Sequence, residues 1–235
     1  MATAELISRL KHGIIVSCQS EGNDPFNSPE YISLFAKAAE MGGACGIRAR
    51  ESENVRAVCA AVSLPVIGIT KGEFPDGSVL ITPELQDVQD LIDAGAAIVA
   101  ADVTNRTRPS GLSGRQFLSE CRNRWNIPLM ADISTLEEGL AAEEQGISLI
   151  GTTLAGYTPY TKIMSEDEPD WNLLKELVKR AKTPIIAEGR IWTPGQAKKA
   201  LEFGAYAVVV GTAITRPRVV TRRFVDALRK KTFQP

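Results

Sequence analysis

A glutamate and a lysine each follow a short apolar run of the sequence, where a buried strand would end. Glu188 comes directly after Ile-Ile-Ala and before a glycine, and Lys71 follows Pro-Val-Ile-Gly-Ile-Thr. A carboxylate and an amine at such places can transfer protons once burial and nearby charges move their pKa values toward neutrality. Glu188 could instead merely cap the end of a strand, and Lys71 could equally be a solvated side chain at the start of a loop, so position alone leaves both interpretations open.

Two reactions suit Lys71. As a base it would take a proton, and as a nucleophile it would form a Schiff base with a sugar carbonyl. A nearby cation such as Arg48 would lower its pKa in either case, because two positive charges repel.

Asp102 and Asp132 end two further apolar runs. They could bind sugar hydroxyls, or they could form ion pairs with Arg48 or Lys71 that only stabilise the structure. Two carboxylates flanking a bond would also suit glycoside hydrolysis, but that reaction gives the lysine no task. A divalent metal lacks support, because no compact Asp, Glu or His spacing is present and His12 is the only histidine.

Glycines end the last two apolar runs and predict a phosphate site. Gly189 and Arg190 follow the first of these runs, and Gly211 and Thr212 follow the second. Turns of this kind let backbone N–H groups and a helix N-terminus face a phosphate, and Arg216 adds a charged fork for its oxygens. The residues alone therefore indicate an enzyme acting on a small phosphorylated, hydroxylated substrate.

Eight short apolar runs alternate with helical patterns and must position these side chains. This alternation, with strands buried on both faces, is typical of an α/β protein with a (β/α)8 TIM barrel fold, and we predict one such domain over residues 1–235. The alternative is an open doubly wound sheet, but this sequence has no Gly-x-Gly-x-x-Gly turn after its first predicted strand. The predicted strands are 13–18, 44–48, 65–70, 97–102, 128–132, 148–152, 184–187 and 206–211.

Barrel enzymes carry their sites at the carboxyl ends of the strands, so the polar residues there should converge on one mouth. Glu188 on the seventh strand and Lys71 on the third would face each other across it, which suits attack on opposite faces of one carbon. The residues at the strand ends are Gln19, Arg48, Lys71, Asp102, Asp132, Thr152 with Thr153, Glu188, and Gly211 with Thr212.

Capping signals predict where several helices begin. Ser28, Thr82 and Thr193 each precede a proline, which favours the first helical turn, and Ser134 with Glu137 fits a capping box. The longest loops, 104–114 and 156–169, both follow predicted strands and should lie on the catalytic face.

The composition excludes several classes of partner. A net charge of −1 with no block of lysine and arginine argues against nucleic acid or an anionic membrane, and no apolar stretch approaches the roughly 20 residues that span a bilayer. The N-terminus does not resemble a signal peptide. The four cysteines show no Cys-x-x-Cys spacing, so we expect reduced thiols and a cytoplasmic protein.

Longer motifs surround the same strand ends, including Met-Ala-Asp-Ile-Ser-Thr-Leu-Glu-Glu-Gly at 130–139. The others lie at 13–19, 46–48, 69–71, 74–76, 81–83, 102–104, 108–109, 151–158, 187–191 and 210–217. In this order they resemble the N-acetylmannosamine-6-phosphate 2-epimerase family over essentially the whole chain. Three residues depart from its pattern: Gly72 where a larger, often basic residue is expected, Val103 in place of alanine, and Trp192 in place of a polar residue.

The resemblance implies reversible inversion at C2 between N-acetylmannosamine 6-phosphate and N-acetylglucosamine 6-phosphate, a step in sialic acid use. It implies no nicotinamide and no obligatory metal, so we expect no cofactor. The C2 proton is acidic only in the ring-opened aldehyde, and its removal leaves an enolate. We hypothesise that Lys71 is the base and that Glu188 assists or delivers the proton at the other face; Lys71 alone could also serve both faces.

The same interpretation assigns the remaining residues. Gln19, Arg48, Asp102, Asp132, Thr152 and Tyr157 would bind the sugar, and Gly189, Arg190, Gly211, Thr212 and Arg216 would bind the phosphate. A Schiff-base lyase using Lys71 and a non-catalytic phosphosugar sensor are the alternatives, although a sensor needs no acid/base pair. The last helix carries apolar Val220, Phe224 and Leu228 on one face, which could pack on the barrel or on a partner subunit, and we expect a homodimer.

Overall fold

Eight parallel strands close into a barrel in the computed structural model, which describes residues 2–74, 78–162 and 165–229. The TIM barrel prediction is therefore confirmed, and the open sheet was the wrong alternative. The barrel closes between the first and last strands, where Ile14 is in register with Val208. The described strands are β1 (Ile14–Cys18), β2 (Gly46–Arg50), β3 (Val66–Ile69), β4 (Lys71–Glu73), β5 (Val79–Ile81), β6 (Ile98–Asp102), β7 (Leu129–Asp132), β8 (Leu149–Gly151), β9 (Ile185–Glu188) and β10 (Ala207–Val210).

Helices follow most barrel strands and return the chain to the next strand. The described helices are α1 (Thr3–Ser8), α2 (Pro29–Met41), α3 (Ser52–Ala61), α4 (Leu85–Asp93), α5 (Gly114–Arg124), α6 (Leu136–Glu144), α7 (Trp171–Arg180), α8 (Pro194–Glu202), α9 (Thr212–Thr215) and α10 (Pro217–Arg229).

Side chains alternate between two cores along each barrel strand, because successive residues of a strand point to opposite faces. Ile67, Met130 and Ile186 belong to the cluster inside the barrel. Their neighbours Val66 and Ile185 belong to the cluster between the strands and the helices. A residue two positions after an interior residue therefore points into the barrel mouth, which is how Ile186 predicts the direction of Glu188.

Helix α1 covers the amino ends of the strands. Its Leu6 and Ile7, with Leu10 after it, pack in the interior cluster against Ile15 and Ala207. The opposite end of the barrel, where the carboxyl ends of the strands lie, is left for the functional site.

A β-hairpin that the sequence analysis missed follows β3. Strands β4 and β5 pair antiparallel outside the barrel, with Lys71 opposite Ile81. Lys71 is therefore the first residue of a hairpin strand rather than the start of an irregular loop. Of the motif at 74–76, only Phe74 lies within the described residues.

Two of the predicted helix starts were wrong. Helix α4 is capped by Glu84 rather than Thr82, whose hydroxyl is buried and donates to the Ala100 carbonyl oxygen at 2.6 Å. The capping box of α6 is formed by Thr135 and Glu138, one position later than predicted. The caps at Ser28 and Thr193 are confirmed.

Candidate active site

A cavity of about 850 Å³ opens at the carboxyl ends of the barrel strands. Most of the predicted site residues line it, which shows that closure of the barrel brings them together. Those that line it are Gln19, Arg48, Lys71, Tyr157, Glu188, Gly189, Arg190, Gly211, Thr212 and Arg216. Asp102, Asp132 and Thr152 are outside the described lining.

An arginine and two carboxylates form the floor of this cavity. Arg48 places Nη1 and Nη2 at 3.2 and 2.5 Å from the two carboxylate oxygens of Asp132, and Nη1 at 3.1 Å from Glu188 Oε2. Arg48 and Asp132 are fully buried, whereas 12% of the Glu188 side chain is exposed. A two-pronged pair of this kind fixes the guanidinium plane, and Glu188 is the most exposed of the three side chains.

Burial and, second to it, the neighbouring Asp132 carboxylate raise the pKa of Glu188, which is about 7 on balance. Arg48, a hydrogen bond from Thr153 and the charge of Lys71 oppose this shift. Near neutral pH Glu188 can therefore hold or release a proton, as a catalytic acid or base must.

The Thr153 hydroxyl lies between the two carboxylates, donating to Asp132 Oδ1 at 2.6 Å, with Glu188 Oε2 at 3.0 Å. A hydroxyl carries one proton and can donate to only one of them. When Glu188 is protonated, both contacts of this hydroxyl are hydrogen bonds, since Glu188 then donates to Thr153, which donates to Asp132. This geometry agrees with the raised pKa of Glu188.

Thr152 points the other way and fixes the Glu188 backbone. Its hydroxyl donates to the Glu188 carbonyl oxygen at 2.9 Å and accepts from the Glu188 N–H at 3.0 Å. Thr152, which directly follows β8, thus holds the end of β9 in place.

Lys71 lies on the opposite wall. It follows β3, four positions around the barrel from β9. Burial lowers the pKa of Lys71; the Glu21 carboxylate, 3.6 Å from Nζ, raises it, and Arg216 and Arg50 lower it. The net pKa lies below its ordinary value, which favours the neutral amine that a base or nucleophile requires.

The loops after β9 and β10 form one end of the cavity. Gly189 and Arg190 have φ angles of 103° and 56°, a left-handed turn that suits glycine and strains most other residues. Arg190 Nη2 donates to the Ala155 carbonyl oxygen at 2.6 Å, and its buried Nη1 has no hydrogen-bond partner among the described residues. The Thr215 hydroxyl donates to the Ser17 carbonyl oxygen at 2.7 Å and holds α9 against β1.

Asp102 supports a neighbouring arginine. Its carboxylate accepts from Arg106 Nη2 and from the Thr104 hydroxyl at 2.6 Å. Arg106 lines the cavity and also donates to the Val79 carbonyl oxygen at 3.0 Å, which joins the loop after β6 to the hairpin. In this arrangement Arg106 faces the cavity, and Asp102 lies behind Arg106.

The three residues that depart from the family pattern lie in packed regions or at the cavity. A Cβ on Gly72 would lie 2.8 Å from Pro83 Cγ and 3.0 Å from Phe74 Cζ, so the packed hairpin has no room for a larger residue. Val103 is buried, and its backbone lies 2.9 Å from where a Cβ on Gly114 would stand. Trp192 lines the cavity, and its Nε1 donates to the Glu166 carbonyl oxygen at 3.1 Å.

Sequence reasoning missed Arg106 and Glu21, and it placed Thr153 at a strand end but assigned the role to Thr152. Strand alternation could have favoured Thr153, because it follows interior Leu149 by four positions, whereas Thr152 follows outward-facing Ile150. Glu21 and Arg106 lie in loops, for which no such periodicity exists.

No three His, Cys, Asp or Glu side chains are grouped closely enough to hold a metal ion within the described ranges. No described helix is long and apolar enough to cross a membrane.

Comparisons with known proteins agree on one family. Residues 32–230 match the NanE family model, described as "Putative N-acetylmannosamine-6-phosphate epimerase". A relative from Caldanaerobacter subterraneus subsp. tengcongensis, named "Putative N-acetylmannosamine-6-phosphate 2-epimerase", is 48% identical over 230 residues, covering 97% of this chain and 96% of the relative.

Solved structures give the same result. The N-acetylmannosamine-6-phosphate 2-epimerase from Clostridium perfringens has a TM-score of 0.89 at 42% identity, covering 94% of this chain and 96% of that one. Thiamine phosphate pyrophosphorylase from Pyrococcus furiosus, with a TM-score of 0.59 and 18% identity over 95% and 98% of the two chains, shares the fold alone. The resemblance found in the motifs is thus confirmed, and the chain belongs to the N-acetylmannosamine-6-phosphate 2-epimerase family, whose members are carbohydrate isomerases.

Proposed function

We propose that this cavity interconverts N-acetylmannosamine 6-phosphate and N-acetylglucosamine 6-phosphate by removing and returning the C2 proton of the open-chain sugar. One observation carries the proposal: Lys71 and Glu188 line the same cavity from opposite sides of the barrel, and both have pKa values shifted toward neutrality. A base and an acid on opposite faces of one carbon are what inversion requires.

The sugar phosphate binds with its charge at the loops after β9 and β10. Gly189 and Gly211 let the backbone approach the phosphate, the first turn of α9 supplies N–H groups, and Arg190 Nη1 and Arg216 supply positive charge. Because the phosphate is bonded to C6, this anchor fixes where the sugar chain lies in the cavity and places C2 between the opposed side chains.

Neutral Lys71 removes the C2 proton after the ring opens. The developing enolate is stabilised by cations at the cavity wall, Arg48 and Arg106, and Gln19 and Tyr157 orient the chain of hydroxyls and the N-acetyl group. Asp132 and Asp102 act through Arg48 and Arg106, since each holds one of these guanidinium groups in place.

Glu188 returns a proton to the other face in the two-base form of this mechanism. In the one-base form Lys71 returns it, with help from a substrate hydroxyl. Glu188→Gln separates the forms: C2 exchange without inversion is expected if Glu188 serves the second face.

Product formation tests the proposal. Purified protein with N-acetylmannosamine 6-phosphate should yield N-acetylglucosamine 6-phosphate by NMR, whereas unphosphorylated N-acetylmannosamine should react far more slowly because it lacks the phosphate anchor. Borohydride added with substrate would trap a covalent adduct at Lys71 if the site were that of a Schiff-base lyase. Adduct without epimer contradicts the proposal, and binding without turnover indicates a sensor.

The same proposal extends to the assembly and its surroundings. We propose that the chain forms a single barrel domain and that two chains form a homodimer. We further propose that the protein is a cytoplasmic enzyme of sialic acid breakdown. Phe224 and Leu228 of α10 are 71% and 72% exposed, which leaves an apolar face for a second subunit, and the four cysteines are free thiols. Light scattering should give twice the chain mass of 25.4 kDa, and a monomer mass would contradict the dimer.

A further inference from the structure

One carboxylate near the cavity, that of Glu21, is shared by three cations. Glu21 Oε1 lies 2.6 Å from Arg216 Nη1, and Oε2 lies 3.0 Å from Arg50 Nη1 and 3.6 Å from Lys71 Nζ. Glu21 is outside the described lining of the cavity, whereas Lys71 and Arg216 line it. It therefore lies where it can act on the reaction through these two side chains.

The four residues come from separate parts of the barrel mouth. Glu21 lies in the loop after β1, Arg50 ends β2, Lys71 begins the hairpin after β3, and Arg216 follows α9. The ion pairs of Glu21 join these segments at one edge of the barrel and so constrain their relative positions. The arginine proposed for the phosphate and the lysine proposed for C2 are thereby joined by a single side chain.

The charges around Lys71 make Glu21 important for its protonation. Arg50 and Arg216 repel the ammonium group, and burial disfavours it, whereas Glu21 favours it at 3.6 Å. Glu188 contributes from the opposite wall, where its charge and that of Lys71 attract. Of the two carboxylates, Glu21 is the one that forms an ion pair with Lys71.

We propose that Glu21 is a positioning residue of the epimerase reaction: it holds Arg216 and Lys71 at a fixed separation and stabilises the protonated form of Lys71. This rests on the proposed role of Lys71 as the base. Its consequence is that the charge of Glu21 controls how much neutral lysine is available at a given pH.

Direct titration of Lys71 tests the electrostatic part. Lysines are methylated with ¹³C-formaldehyde, and the Lys71 resonance is identified by its loss in Lys71→Met. In Glu21→Gln, which keeps the size of the side chain and removes its charge, the pKa of Lys71 should fall by about one unit, the lower end of the effect of an opposite charge at this distance. This readout does not depend on the reaction catalysed.

Kinetics test the link to catalysis. Below the pKa of Lys71 the rate is proportional to the neutral fraction of the lysine. In Glu21→Gln, kcat/KM on the acid side of the pH profile divided by its high-pH plateau should therefore rise about tenfold for each unit by which the pKa of Lys71 falls. The ratio cancels a uniform loss of activity. Glu73→Gln is the matched control, because Glu73 lies 3.9 Å from Arg50 and its side chain is 72% exposed; it should leave both the titration and the ratio unchanged.

The positioning part has its own readout. Glu21→Ala should raise KM for the phosphorylated sugar and lower kcat, and Glu21→Asp should restore part of both. An unmoved Lys71 titration or an unchanged pH ratio in Glu21→Gln would overturn the inference while leaving the epimerase proposal intact if the wild type is active. A wild type without epimerase activity would instead overturn the proposed function, and the titration would still report on the Glu21–Lys71 pair.

Discussion

At the residue scale, the chemistry depends on what surrounds Glu188 and Lys71. Burial moves the two pKa values in opposite directions, the carboxylate upward and the amine downward, so their ordinary charge states both become less stable. Asp132 adds to the rise in the pKa of Glu188, because it is a second negative charge on the same arginine. The resulting pair is suited to proton transfer near neutral pH.

The raised pKa of Glu188 predicts a pH-dependent cost in stability. Between its ordinary value of 4.5 and about 7, the folded protein binds a proton at Glu188 that the unfolded chain has released. The contribution of Glu188 to the free energy of unfolding therefore falls as pH rises through this window. Urea unfolding measures the free energy of unfolding of the wild type and of Glu188→Gln. The value for the wild type minus that for Glu188→Gln should fall by on the order of 2 kcal/mol from pH 5 to pH 8.

Glu176→Gln supplies the control for this titration, since Glu176 is solvent-exposed on α7. Its difference from the wild type should not change over the same range. A wild type that gains stability relative to Glu188→Gln as pH rises would contradict the raised pKa.

Residue positions at the strand ends could be predicted from the sequence, but their partners could not. The apolar runs fix which residues follow each strand, and strand alternation gives their direction, which separates Thr153 from Thr152. The pairing of Arg48 with Asp132 depends on the closure of the barrel and joins residues 84 positions apart. Local sequence patterns contain no signal for such a contact.

At the element scale, Glu138 joins three loops of the barrel mouth. Its Oε2 accepts from the Ser134 and Thr135 N–H groups at 2.8 and 3.0 Å, which caps α6. Its Oε1 accepts from the Asn105 N–H at 2.9 Å and from the Tyr160 hydroxyl at 2.6 Å, which ties down the loops after β6 and β8. A single buried carboxylate therefore orders two walls of the cavity and the start of a helix.

Replacing this carboxylate should loosen all three loops. In Glu138→Gln the amide N–H₂ group faces N–H and O–H donors, so one or more buried donors lose their acceptor at a cost of about 2 kcal/mol in the free energy of unfolding. KM should rise more than kcat falls, because Tyr157 and Thr158 of the β8 loop line the cavity. Urea unfolding and steady-state kinetics measure the two effects.

Glu137→Gln is the matched control, since Glu137 is the exposed neighbour of buried Glu138 on the same helix. It should behave as the wild type. Equal stability of Glu138→Gln and Glu137→Gln would contradict this role for Glu138.

The elements themselves followed from periodicity, with two instructive exceptions. The hairpin of β4 and β5 was missed because its strands are three residues each, too short for a periodic pattern. Thr82 failed as a helix cap because its hydroxyl is used inside the molecule by the Ala100 carbonyl, a long-range bond that outweighs a local preference. Strand β2 extends to Arg50, two residues beyond the prediction, and so brings a second arginine to the mouth.

At the scale of the whole molecule, closure of the barrel creates the site. Pairing of β1 with β10 brings the first and last thirds of the chain together, and the Glu21–Arg216 ion pair joins residues 195 positions apart across this seam. The strand count alone placed Lys71 and Glu188 on opposite walls, which is a topological consequence of eight strands. The charges that adjust their pKa values come partly from strands, as with Arg48 and Asp132, and partly from loops, as with Glu21.

Exchange of the C2 proton with solvent is the most direct test of Lys71 as the base of an epimerase. N-acetylmannosamine 6-phosphate is incubated with the protein in deuterated water, and the C2 proton signal is followed by NMR. Lys71→Ala is compared with the wild type and with Lys198→Ala, which removes a lysine whose side chain is 80% exposed on α8.

The wild type and Lys198→Ala should replace the C2 proton with deuterium while N-acetylglucosamine 6-phosphate forms. Lys71→Ala should show neither exchange nor product, because no other described base occupies that wall of the cavity. Exchange and epimer formation at the wild-type rate in Lys71→Ala would contradict the assignment of the base. Absence of both in the folded wild-type protein would contradict the proposed reaction itself.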